Sequence, residues 1–257
     1  KPITIIVPFS PGGTTDVSAR TLAEFLEPEL GVSFEVVNRP GATTQIGSTA
    51  LSQAEPDGHT LSLASLPSLV MTYVDEARQA PYDRSSFTPI AHYISGANLL
   101  AVQADSPYKS VNDLVEAARK KPRTIRMGTV GLMSNGHLPG IALEDTAGVQ
   151  FAFVHFNGAA PLVTALLAGD VDVAINGTQT TIPHIQAGKM RAIGFFGERR
   201  TAFLPDLPTL RDQQIDPDDR DSLEGLTVGV QRGTIRDRFI TDIYGDIMEV
   251  RRYATAE

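Results

Sequence analysis

Apolar residues along this chain follow two alternating rhythms. Short unbroken apolar runs rich in β-branched residues mark buried strands, and apolar positions three and four apart mark helices. Ile3–Val7 is the first such run. Ser10-Pro11-Gly12-Gly13-Thr14-Thr15 follows as a turn. Residues 16–30 then take helical spacing, with Val17, Ala19, Leu22, Ala23 and Leu26 as the apolar stripe. Pro28 is expected to bend or end that helix, with Gly31 just beyond it. The alternation continues with strands at residues 34–37, 60–64, 125–128, 151–155, 171–175 and 191–196. Helices are expected at 45–54, 111–120, 136–147 and 161–168. Strand, helix and strand at this spacing predict parallel sheets with helices on both faces.

Two extended segments, 88–94 and 98–103, have little helix between them and read as a crossing from one α/β lobe to another. The expected division is a first lobe over 1–102, with 226–257 returning to it, and a second lobe over 103–225. Residues 203–208 are a Pro-rich loop, 216–221 an acidic loop, and 226–230 a further strand.

Composition narrows the function classes. The 257 residues carry a formal net charge of −8, with 42% hydrophobic and 20% charged residues. That is an ordinary globular balance, and it argues against nucleic-acid binding, which needs a basic face. A small anion remains open, since backbone amides bind one locally whatever the net charge. The absence of cysteine excludes disulfides, thiolate chemistry and Cys-based zinc sites. No run of eighteen apolar residues is present, so no membrane-spanning helix is expected. The chain opens Lys1-Pro2-Ile3 without Met, which reads as a processed or trimmed chain from which any signal peptide has been removed.

Chemistry concentrates in two loops. Phe9-Ser10-Pro11-Gly12-Gly13-Thr14-Thr15-Asp16 joins a buried strand to a helix, and its glycine pair exposes amides at the helix N-terminus. That is either an anion site or simply a tight turn. It lacks the P-loop lysine and is not G-x-G-x-x-G. Gly128–Gly136 stands in the same way before the helix at 136–147. There Ser134 and Asn135 either cap the helix or donate to a ligand, and His137 is either a structural hydrogen-bonder or a catalyst. Asp16 either faces a ligand amine or hydroxyl or caps its own helix. Arg39 is either a cationic ligand contact or a solvated side chain. The five histidines show no metal spacing, and there is no G-x-S-x-G elbow.

Taken together, these residues resemble the periplasmic receptors of tripartite tricarboxylate transporters, the TctC-like or Bug family. The resemblance rests on Ile3–Asp16, Asn38-Arg39-Pro40-Gly41-Ala42, Pro56-Asp57-Gly58-His59-Thr60, Phe87-Thr88-Pro89-Ile90, His137-Leu138, residues 154–161 and 167–172, and Leu207-Pro208-Thr209-Leu210, in order over residues 1–233. It implies a two-lobed periplasmic-binding-protein fold of the Venus-flytrap, type II-like kind, each lobe an α/β sheet flanked by helices. It implies a monomeric periplasmic receptor with no cofactor, no metal and no catalysis. The implied ligand is a small organic carboxylate, whether a di- or tricarboxylate, an amino acid or an aromatic acid, delivered to membrane permease subunits. Carried over, it places ligand contacts at Phe9, Gly13, Thr14, Thr15 and Asp16, at Ser134, Asn135 and His137, and at wall residues Ser65, Leu66, Asn157, Asn176 and Thr178. Phe156 stands where the family often has Tyr, and residues 235–257 match the family's helical C-terminal region poorly. Two other readings remain: an enzyme acting on a small acid or phosphate ester, with His137 as base, and the effector domain of a transcription regulator.

Overall fold

A computed structural model describes residues 1–215, 227–231 and 249–253. The acidic stretch 216–221 and most of 235–257 lie outside the described residues.

The first sheet is formed by β1 (Ile3–Val7), β2 (Phe34–Asn38) and β3 (Thr60–Ser62) in the order β2-β1-β3, all parallel. Helix α1 (Thr14–Leu30) connects β1 to β2, and α2 (Gln45–Ser52) connects β2 to β3. α1 continues two residues past Pro28 and ends at Gly31, whose φ of 64° suits glycine. Its buried face is Ala19 and Ala23 packed with Ile5, Val7 and Phe9. Val17, expected in the apolar stripe, is instead 50% exposed, because the inward face is narrow and is shared with Asp16 and Ser18. A further helix, α3 (Ser68–Val74), was not read from the sequence.

The second sheet comprises β4 (Asn98–Gln103), β5 (Arg126–Thr129), β6 (Ala152–His155), β7 (Val173–Gly177) and β8 (Met190–Phe195), in the order β6-β5-β7-β4-β8. β5 pairs parallel with β6 and β7, but β4 runs antiparallel to both β7 and β8. The sheet is therefore mixed, not parallel as expected. The segment 98–103, expected to be part of the crossing, is an interior strand of the second sheet. Residues 88–94 contain no strand.

An interior strand is buried on both faces, and β4 has the sequence for it. Leu100 and Val102 enter one core with Leu114 of α4 (Val111–Lys120), Leu143 of α5 (His137–Ala147), Met127 and Ile175. Leu99 and Ala101 enter the other with Leu162 and Leu166 of α6 (Ala159–Ala168). Ser110 and Asp113 close a reciprocal capping box at the start of α4. α7 (Thr178–Gln186), not among the helices expected from the sequence, follows β7 directly. Towards the C-terminus, in a separate unit, β9 (Thr227–Gln231) and β10 (Glu249–Tyr253) pair in parallel.

Leu100 is fully buried in the interior strand. Leu100→Ala should cost about 3 kcal/mol of unfolding free energy, read from urea denaturation at an unchanged m-value.

Candidate functional site

The site is built where strand ends of the two lobes meet. The turn after β1 is fixed by Asp16, which is 3% exposed. Its Oδ2 accepts from the Gly12 amide at 2.8 Å and from Arg20 Nε at 3.2 Å. Its Oδ1 accepts from Arg20 Nη2 at 3.0 Å and from Asn38 Nδ2 at 2.8 Å. Asn38 also donates to the Phe9 carbonyl. Asp16 therefore ties the glycine turn to the first turn of its helix and to the end of β2. Burial opposes its ionisation, but the hydrogen bonds from Arg20, Gly12 and Asn38 prevail and hold its carboxyl below the ordinary range. Of the two roles open to Asp16, this geometry supports the structural one.

With the turn so held, Gly13 is the extended residue on which α1 opens, and no side chain caps the helix. Thr14 Oγ1 is buried without a hydrogen-bond partner among the described residues. Thr15 is half-buried beside it. The second lobe presents two more uncapped helix openings, α6 at Gly158 and α7 at Gly177. A Cβ built on Gly13 would lie 3.4 Å from the Ala159 nitrogen, and one on Gly177 would lie 3.2 Å from Thr14 Oγ1. Three helix N-termini thus converge near one hydroxyl. First-turn amides have no partner within their own helix, and each N-terminus carries about half a positive charge. Helix N-termini grouped in this way suit an anion.

The lobes touch directly. The Ser10 amide donates to the Asn157 carbonyl at 2.9 Å, and Ser10 Oγ donates to the same oxygen at 3.2 Å. Gly158 permits this approach, since a Cβ there would stand 2.9 Å from Ser10 Cβ. The Leu132 amide donates to Thr43 Oγ1 at 3.2 Å, with Gly131 (φ +92°) pressed against the same side chain. Between these contacts lies a cavity of about 10 Å³, on the order of one water, lined by Pro8, Phe9, Gly41, Thr43, Thr44, Val130, Gly131, Phe156 and Asn157.

The other expected residues divide. Ser134 is fully buried, and its Oγ accepts from the Gly136 and His137 amides, so it caps α5. The Asn135 carbonyl accepts from Asn98 Nδ2 while its side chain is exposed. His137 is buried, its Nδ1 accepts from the Met133 amide at 2.9 Å, and its ring packs edge-on against Phe153 and His155. Burial, then the neighbouring His155, pushes its imidazole down to about 4. A neutral ring with Nδ1 occupied holds the loop and is poorly placed to act as a base. Asn157 lines the cavity. Asn176 is buried and donates to Thr180, and Thr178 opens α7. Ser65 and Leu66 stand before α3, where the Ser65 carbonyl accepts from the Leu69 amide. Arg39 lines a separate hollow along the first sheet, away from the cavity. Thr43, Thr44 and Val130 are not among the individual residues expected at the site. Val130 packs against the cores of both lobes. No group of acidic or histidine side chains suited to a metal occurs among the described residues.

Residues 18–226 match the family model described as the tripartite tricarboxylate transporter family receptor. The chain belongs to this family. A protein from the tcbD-tcbE intergenic region of Pseudomonas sp. (strain P51) is 32% identical over 210 residues, covering 82% of this chain and 62% of that protein. Protein BugT of Bordetella pertussis is 29% identical over 211 residues, covering 82% and 65%. The chain thus spans less than two thirds of these relatives' length. Among solved structures, MatC of Rhodopseudomonas palustris with bound malate superposes with a TM-score of 0.77 at 27% identity, over 84% of this chain and 73% of that one. An R. palustris protein with adipate gives 0.74 at 30% identity, over 83% and 71%. Periplasmic binding protein BugD gives 0.71 at 31%, over 84% and 72%. The fold of this family member is accordingly the two-lobed α/β fold of periplasmic binding proteins.

Two stability measurements check the roles assigned to Asp16 and His137. A depressed carboxylate contributes stability above its unfolded pKa, lost as pH falls through the folded one. Asp16→Asn should therefore cost roughly 1–3 kcal/mol at pH 7, with the gap from wild type narrowing below pH 4 in urea titrations. A depressed histidine favours the fold in its neutral form. Wild type should lose stability as pH falls from about 6.5 towards about 4, and His137→Phe should flatten that part of the profile.

Proposed function

We propose that this chain is an extracytoplasmic solute receptor. It binds a small organic carboxylate between its lobes and passes it to the membrane subunits of a tripartite tricarboxylate-type transporter. The observation that carries this reading is the convergence of three uncapped helix openings, those of α1, α6 and α7, on the unpartnered hydroxyl of Thr14. A carboxylate oxygen there accepts from first-turn amides and from Thr14, with Thr15 alongside. The malate and adipate bound by the two R. palustris relatives are carboxylates of this kind.

Binding requires the lobes to part at the Ser10–Asn157 and Thr43–Leu132 contacts and then close over the ligand. Closure removes water and strengthens each hydrogen bond in the drier interior. Phe9 and Phe156 wall the cleft. Asp16, Ser134 and His137 act one step back, by holding the two loops in shape. His137, the residue that could have served as a base, is held neutral by burial and already bonded through Nδ1. The family's receptors likewise support binding without chemistry. In this reading the protein works as a monomer in the periplasm.

A thermal-shift panel of mono-, di- and tricarboxylates, amino acids and aromatic acids tests the proposal. An acid at a hundred times its dissociation constant should add about 2.7 kcal/mol of stability. Gly13→Val, which thrusts a side chain towards Ala159, and Thr14→Val should each abolish most of that shift while leaving the unliganded protein folded. Full affinity in both variants would remove the α1 opening from the site.

A further inference from the structure

The interlobe cavity contains a second polar feature that a single carboxylate leaves unused. Thr44 lines it beside Phe9, Val130 and Phe156, is only 2% exposed, and has a buried Oγ1 with no hydrogen-bond partner. A polar group buried in this way destabilises the fold unless something pairs with it. Thr44 is also the residue on which α2 opens, and that helix has no side-chain cap.

The backbone sharpens the point. Ala42, Thr43 and Thr44 have φ angles of 47°, 51° and 75°, three successive non-glycine residues in the left-handed region. β-branched residues are costly there, and glycine would be free of the strain. The Thr43 hydroxyl has a use in this conformation, accepting from Leu132. The Thr44 hydroxyl has none among the described residues.

Charge decides what would complete it. None of the residues lining the cavity is acidic or basic. Asp16, the nearby buried carboxylate, is engaged by Gly12, Arg20 and Asn38. A group arriving at Thr44 meets a hydroxyl and the positive end of a helix, between apolar walls. That environment favours an anionic acceptor over an ammonium group. We propose that Thr44 Oγ1 and the first-turn amides of α2 beyond Gln45, whose own amide donates to the Ala42 carbonyl, form a second polar subsite, which takes the distal carboxylate of a diacid whose first carboxylate lies at Thr14. Phe9, Val130 and Phe156 then flank the methylene chain between them. This rests on the carboxylate reading of the cleft and narrows it to diacids.

The test is calorimetric titration of wild type, Thr44→Val and Thr44→Gly with two length-matched pairs, glutarate against pentanoate and adipate against hexanoate. Wild type should prefer at least one diacid over its matched monoacid by about tenfold or more, the scale of one hydrogen bond to a charged group. Both variants should lose most of that preference. Thr44→Gly removes the hydroxyl while relieving the backbone, so misfolding cannot account for its result. A preference retained in both variants overturns the subsite. So does wild-type protein that binds monoacids as tightly as diacids, which leaves the single-carboxylate reading standing. Folded wild type that binds none of the four acids overturns both.

Discussion

The buried carboxylate of Asp16 draws together three pieces of chain that have no other reason to meet at one point. The glycine turn would otherwise be free to splay, since its residues have little side chain to pack. The second turn of α1 supplies Arg20, four residues beyond Asp16 on the same helix face. The end of β2 supplies Asn38. An ion inside a protein is tolerated only where its lone pairs are met, and here donors reach both oxygens. Everything said of the α1 opening depends on this arrangement, because helix amides are useful to a ligand only when the preceding turn leaves them uncovered.

In the proposed reading, the cleft that follows from it recognises its ligand without charged side chains. A salt bridge to an arginine would hold an anion strongly, but it would fix one orientation and cost desolvation on both sides. Amides at helix openings and hydroxyls are already oriented before anything arrives, so little further ordering is needed. The net charge of −8 is then no obstacle, since the local field at helix N-termini is set by the backbone. The cationic side chains described near the site are otherwise employed: Arg20 on Asp16, and Arg39 in a different hollow.

Much of this was legible in the sequence. The β1 run, the glycine turn and the α1 periodicity are local signals, and local signals survive into the structure. The placement of Ser134 and His137 before or within the first turn of α5 was equally visible, though their roles as cap and loop-holder needed the burial and the Met133 contact. Three things were hidden, each for a physical reason. β4 reads as a generic extended segment, because antiparallel pairing to β7 and β8 leaves no mark in its own residues. α7 was missed because Thr178-Gln179-Thr180-Thr181 and Pro183 are poor helix formers, and tertiary packing overrides that preference. Thr43 and Thr44 carry no periodicity, and only the left-handed backbone shows that they matter.

The antiparallel strand also bears on how the chain assembles. Leu99 must meet Asn176 on one side and Phe195 on the other. During synthesis, β4 leaves the ribosome long before either neighbour exists. The most apolar strand of the second lobe therefore waits with both edges and both faces uncovered, a condition that invites off-pathway pairing. Its partners close the sheet only once nearly the whole lobe has been made. Distant pairings of this kind slow folding, because a long loop must be closed before any contact rewards it.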